Sequence, residues 1–184
     1  MKNYKTLSHP LLPKFYGITK DNNYMIIEYI NGLLLSDFEK DEKGKQKFTL
    51  TFDEKINIII ELMITLIYFH DNGFVYRDLK PDNVIITNNH DAIIIDFDRM
   101  IKSSSFSNNK HHTSNFSSKY VAPEVNKGII TPKNDIYSLG KMIDFIMNET
   151  DSTNDNSKKP FFEDIYKNST DIDVKKRSSI LELI

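Results

Sequence analysis

The chain has 184 residues, of which 39% are hydrophobic and 27% charged, and a formal net charge of −2, which suits one globular domain with an apolar core. The lack of cysteine excludes disulfides, thiol catalysis and cysteine-type zinc sites, and no basic block argues for nucleic acid. The start, MKNYKTLSHP, carries no apolar signal core, and the longest apolar run, around Ile56 to Ile67, is broken by Asn57, Glu61 and Thr65, so a soluble, cytoplasmic protein without a membrane partner is expected.

Two apolar runs, Lys14 to Thr19 and Tyr24 to Ile30, flank Lys-Asp-Asn-Asn and predict a strand, a turn and a second strand buried on both faces. Asn31-Gly32 ends the second run, and Ser36-Asp37 is a cap for a short helix. Residues 39–47 are strongly charged and read as a solvated helix end or loop. Thr51 followed by Glu54 is a capping box that opens a helix to about Asn72. Its buried face is expected at Ile56, Ile59, Ile60, Met63, Ile67 and His70, with His70 packed in the core rather than serving as a ligand.

Gly73 stops that helix. Val84 to Ile86 and Ala92 to Ile95, joined by Asn-Asn-His-Asp, predict a second hairpin. Residues 102–118, rich in Ser, Asn, Lys and His, predict an exposed, mobile segment in which His111 and His112 are solvated. A helix apolar nearly all round is expected over 136–147, another near 161–168, and a last one opening at Arg177-Ser178-Ser179. No internal repeat is visible.

Between the long helix and the second hairpin lies YRDLKPDNV, Tyr76 to Val84. Asp78 and Asn83 bracket Lys80, and Asp96-Phe97-Asp98 follows the next strand. Two carboxylates, an ammonium and an amide at neighbouring strand ends are the groups that phosphoryl transfer requires. One carboxylate orients a hydroxyl nucleophile, the amide and the other carboxylate hold magnesium, and the ammonium offsets developing charge.

In this arrangement the chain resembles the protein kinase family, whose pattern is H-R-D-L-K-x-x-N, then D-F-G, then A-P-E. Here the corresponding segments are YRDLKPDN, DFD and Ala122-Pro123-Glu124. His9-Pro10, MIIEYING at 25–32, NDIYSLG at 134–140 and KKRSS at 175–179 fall in the family's order. The resemblance implies an α+β, kinase-like fold, with 1–30 as a remnant of the small β lobe and hinge and 31–184 as the helical large lobe.

The resemblance also implies roles. Asp78 is the expected base, Lys80 the γ-phosphate contact, and Asn83 and Asp96 the magnesium ligands. Ile27 is the expected gatekeeper, the Glu28 carbonyl and Ile30 amide the adenine contacts, and Ile85 the floor beneath the ring. Arg77 would receive a phosphorylated activation-segment residue such as Thr113, and Ser117 would face the substrate. Glu124 would pair with Arg177, and Asp135 would brace the catalytic loop. ATP and Mg2+ are the implied cofactors, and a protein substrate or regulatory protein is the implied partner. The implied reaction moves the ATP γ-phosphate to a serine or threonine hydroxyl.

Several departures accompany these matches. No Gly-x-Gly-x-x-Gly occurs, and the family's glycine-rich loop and strand lysine would fall before Met1, which describes a domain truncated at its small lobe. The alternative function this implies is a pseudokinase or interaction scaffold. The first hairpin is then expected to expose an apolar face. Tyr76 replaces histidine and is expected to stack on Phe97. Asp98 replaces the glycine of D-F-G, trading a backbone suited to positive φ for a carboxylate beside the metal site. The helix between NDIYSLG and FFEDIYK is expected to be shortened or absent.

Overall fold

Apolar alternation on either side of an Asx-type turn folds the first hairpin: β1 (Phe15–Ile18) runs antiparallel to β2 (Met25–Ile27) with Phe15 opposite Ile27. The computed structural model describes residues 3–39, 48–102, 118–148, 150 and 159–183. In the turn, Asn22 donates its amide to Thr19 O at 2.8 Å and takes φ 58°, a conformation that asparagine tolerates well. The second strand is not buried on both faces as its sequence suggests, since Ile26 is 50% exposed. A two-stranded ribbon covers one face only. Phe15, Met25 and Ile27 pack on the main core, while Tyr16 and Tyr24 stay in solvent, as the expected exposed face requires.

Gly32 opens a new strand rather than ending the old one. β3 (Gly32–Leu34) pairs with β5 (Val84–Thr87), which pairs with β6 (Ala92–Ile94), all antiparallel. A side chain at position 32 would put its Cβ 2.3 Å from Ile86 O, so only glycine lets the two backbones approach. After β3 the chain makes a 3-10 turn, Leu35–Phe38. Asp37 caps that turn from inside, accepting the Leu34 amide at 3.1 Å.

The capping box forms as expected: Thr51 Oγ1 accepts from the Glu54 amide and Glu54 Oε2 from the Thr51 amide at 2.6 Å, starting α1 (Phe52–Asp71). The buried line runs Ile58, Ile59, Leu62, Met63, Leu66 and Phe69, with Lys55 among them, so the expected Ile59 and Met63 lie on it while Ile56, Ile60 and Ile67 do not. Ile60 is 46% exposed. Between Ile56 and Phe69, 11 of 14 positions are apolar, so the elements that cover the helix, not its own pattern, choose its inner face.

Those elements are α2 (Pro132–Asn148), which starts on a proline suited to the first helical turn, and β6. Leu139, Met142, Ile143 and Ile146 of α2 join Leu62, Leu66 and Phe69 in one core. α3 (Lys159–Ser169) packs on α2, and α4 (Ile180–Leu183) closes the far end. The short pair β4 (Phe74–Val75) and β7 (Ile101–Lys102) ties the end of α1 to the segment after β6. No described helix is long and apolar enough to cross a membrane. The segments at 39–47 and 102–118 lie largely outside the described residues, and so do His111, His112, Thr113 and Ser117.

Candidate active site

The site hangs from one buried carboxylate. Asp135, at the start of α2 and fully buried, accepts the Tyr76 amide at 2.9 Å and the Arg77 amide at 2.8 Å. Its Oδ2 also meets His70 Nε2 at 2.9 Å, so His70 is a half-buried partner of this carboxylate rather than a packed core ring. Two charge-assisted bonds to consecutive amides fix the loop that follows β4, as expected of Asp135. Arg77 there adopts φ 73°, which a side chain ordinarily avoids. Its guanidinium donates to Arg99 O at 3.4 Å, and burial pushes its pKa below the ordinary value, against the pull of Asp135 and Asp78.

Tyr76 is completely buried and does stack where expected, edge-on to Phe97 at 6.2 Å and face to face with Phe69 at 5.7 Å. Its hydroxyl adds a contact that the sequence does not announce, donating to Ile95 O at 2.6 Å. That carbonyl belongs to the peptide unit leading into Asp96. The Ile95 amide in turn donates to Asn83 O at 2.9 Å, so the backbones bearing Asn83 and Asp96 are tied together.

Within this frame Asp78, Lys80 and Asn83 converge. Asn83 Nδ2 spends one N–H on Asp78 O at 2.8 Å and the other on Asp78 Oδ2 at 2.9 Å. Both amide N–H groups are thereby used, which leaves Oδ1 as the acceptor of this side chain. Lys80 Nζ lies 4.0 Å from Asp78 Oδ2. Asp78 is 8% exposed, so its carboxylate has little water around it. Asp96 is exposed and accepts the Asp98 amide at 3.1 Å. The positive φ of this segment is at Asp96, 60°, and not at Asp98. The expected backbone penalty of replacing glycine at 98 is therefore absent. The backbone bend falls two residues before the replaced glycine, on an aspartate that the Asx-type contact supports.

Arg99 is a site residue that sequence reasoning missed. Its Nη1 donates to Asp78 Oδ1 at 3.2 Å. The signal was its position directly after Asp96-Phe97-Asp98, where the chain turns back across the loop.

Of the residues expected at the adenine, Ile27 ends β2, Glu28 and Ile30 lie in the segment between β2 and β3, and Ile85 is on β5. On β5, Val84 and Ile86 point into the core, leaving Ile85 half buried on the opposite face across from Leu34. Glu28 gives its amide to Lys14 O at 2.8 Å, a pairing in which its carbonyl takes no part. Ile27 is half buried beside it.

Elsewhere, Arg177 is 1% exposed and binds Glu124 through both oxygens, at 2.7 and 3.2 Å. Its other donors reach Lys133 O at 2.6 Å and Asp171 O at 2.8 and 3.2 Å, and Tyr137 lies under the guanidinium at 5.1 Å. Every N–H of the group has an acceptor, which is the condition for burying it. The expected staple is present.

As for chemical capacity, the donors around Asp96 and Asn83 are hard oxygens, which suit magnesium. Among the described residues no group of three or more His, Asp or Glu forms a cage. A cation here would draw its remaining ligands from phosphate and water, the usual habit of magnesium.

Comparison with known proteins gives a consistent result. The protein kinase domain profile matches residues 1–182. A probable serine/threonine-protein kinase of Clostridium perfringens, CPE1738, is 35% identical over 127 residues, covering 67% of this chain and 18% of that protein. CBL-interacting protein kinase 1 of Oryza sativa is 33% identical over 144 residues, covering 76% of this chain and 30% of that protein. A probable serine/threonine-protein kinase PknB of Lactococcus lactis is 30% identical over 137 residues, with 73% and 21% covered. The chain thus spans less than a third of the length of these relatives.

Proposed function

The chain belongs to the protein kinase family, and from that premise we propose that it transfers the ATP γ-phosphate to serine or threonine hydroxyls of protein substrates. Residues 1–30 serve as the small-lobe portion and hinge, and 31–184 as the large helical lobe. The observation that carries the reading is the linked set Asp78, Asn83 and Asp96. Asn83 locks the Asp78 carboxylate, Ile95 and Asn83 share a backbone bond, and Asp135 holds the whole loop.

Bound Mg-ATP supplies the phosphoryl group and the cation that spreads its charge. Asn83 Oδ1 and Asp96 would hold the cation. Ile27, the Glu28 carbonyl, the Ile30 amide and Ile85 would hold the adenine. Asp78 accepts a hydrogen bond from the acceptor hydroxyl, aims its oxygen, and takes up the proton. Lys80 sets an ammonium beside that point and offsets negative charge. Arg77, tethered by Asp135, would answer a phosphate on the segment that includes Thr113 and Ser117.

A scaffold without transfer is the second reading, favoured by Asp98, whose extra carboxylate follows Asp96 closely. Thermal unfolding with and without Mg-ATP separates the two. At one hundred times Kd the ligand adds about 2.7 kcal/mol, a rise of about 5–10 °C for a chain of this size. The kinase reading expects that rise, its reduction by Asp96→Asn, and loss of transfer with retained nucleotide binding in Asp78→Asn. A sharp transition that Mg-ATP does not move favours the scaffold, and unimpaired turnover by Asp78→Asn ends the assignment of the base.

A further inference from the structure

We infer that Arg99 selects acceptor sequences with an acidic group beside the hydroxyl, by exchanging its bond to Asp78 for a bond to the substrate. The inference rests on the reading of Asp78 as the base.

The two oxygens of Asp78 are held differently. Oδ2 faces Asn83 Nδ2 at 2.9 Å, and that amide is anchored by a second bond to Asp78 O at 2.8 Å. Oδ1 is held by Arg99 Nη1 at 3.2 Å, from a side chain that is 46% exposed. A hydroxyl that passes its proton to Asp78 must come within about 2.6–3.2 Å of a carboxylate oxygen. Oδ1 is the oxygen whose partner can yield. The guanidinium therefore occupies the approach that an acceptor needs.

Arg99's main chain does not have to move for this. Its carbonyl accepts Arg77 Nη1 at 3.4 Å, and the next residue, Met100, donates its amide to Phe97 O at 3.2 Å. A long side chain pivoting on a held backbone leaves its charge within reach of the bound acceptor. Losing a carboxylate partner is costly unless another anion replaces it, and a carboxylate or phosphate matches the guanidinium fork. An acceptor with Asp or a phosphate next to its hydroxyl supplies that anion as it arrives. A lysine there instead adds a third cation beside Arg99 and Lys80.

The test uses three labelled serine peptides of equal length that differ in the residues flanking serine: Ala, Asp or Lys. The 184-residue chain and its Arg99→Ala variant are titrated by fluorescence anisotropy without nucleotide, then assayed for phosphate incorporation with Mg-ATP. The parent chain is expected to bind the Asp peptide roughly three- to five-fold more tightly than the Ala peptide, the range of a half-exposed ion pair, and the Lys peptide most weakly. Arg99→Ala is expected to bind all three within about two-fold by the same measure. Equal binding of the three peptides by the parent, or unchanged preference in Arg99→Ala, overturns the inference. So does a uniform loss of incorporation in Arg99→Ala with the peptide preference intact, which assigns the guanidinium to phosphoryl transfer. Charge preference in binding with no incorporation by either protein upholds the selection by Arg99 and defeats the kinase reading instead.

Discussion

Asp135 accepts the amide of Arg77 at 2.8 Å while Arg77 holds a left-handed φ of 73°. The strained residue and the carboxylate that restrains it come from segments 58 positions apart, so the loop keeps its shape only while α2 stays docked.

Asp135→Asn is accordingly expected to cost about 2–4 kcal/mol, since an amide side chain offers one acceptor oxygen and turns N–H toward a buried N–H. Urea unfolding measures this as a lower midpoint at unchanged slope. A loss under about 0.5 kcal/mol, the level of an ordinary surface change, refutes the bracing role.

The Arg177–Glu124 pair makes a different prediction. Arg177→Met or Glu124→Leu alone leaves a buried charge without its mate and should cost about 3–5 kcal/mol. The double substitution should cost clearly less than the sum of the two. Strict additivity in the double-mutant cycle would mean that the two side chains stabilise the fold independently.

Tyr76→Phe keeps the ring between Phe69 and Phe97 but removes the hydroxyl bond to Ile95 O. The expected loss is about 0.5–1.5 kcal/mol in stability. Because Ile95 leads directly into Asp96, the thermal shift produced by Mg-ATP should also shrink. A full-sized shift in the variant would restrict the hydroxyl to a structural role.

Glu61 on α1 is partly buried, and burial raises its pKa from the ordinary 4.5, with Asp91 adding to the rise and the Ala92 amide opposing it. The folded chain then holds this proton more tightly than the unfolded one. Its contribution is fully present below the ordinary glutamate value and is lost as pH rises through the raised one. Glu61→Gln, which keeps an oxygen for the Ala92 amide, should gain stability relative to the parent on going from acid to neutral pH. Parallel stability–pH curves for the two proteins would contradict this.

The parts of the site that were legible in the sequence are those written as short local strings. Asp78, Asn83 and the Thr51–Glu54 cap are a few residues apart, and their geometry follows from local backbone rules. Asp135, Glu124 and Arg177 were legible through family resemblance alone, because no local pattern encodes a contact across 53 residues. The inner face of α1 was read correctly at Ile59 and Met63 but not at Ile56, Ile60 and Ile67, because isoleucines surround the helix. Burial there depends on where α2 and β6 lie, which periodicity does not contain. Arg99 and the Tyr76 hydroxyl escaped notice for a related reason: each acts through one side-chain atom whose reach is set by the tertiary fold.

The same Arg177 has a consequence in time. During synthesis at about 5–20 residues per second, the 53 residues between Glu124 and Arg177 take roughly 3–10 s to emerge. Until then the Glu124 carboxylate can rely on Asn134, whose Nδ2 lies 2.5 Å away, but not on the guanidinium that neutralises it. The helical unit around α1 and α2 therefore stays incompletely locked until Arg177 has left the ribosome. A nascent chain stalled short of position 177 is the form in which proteases and chaperones would find it most open.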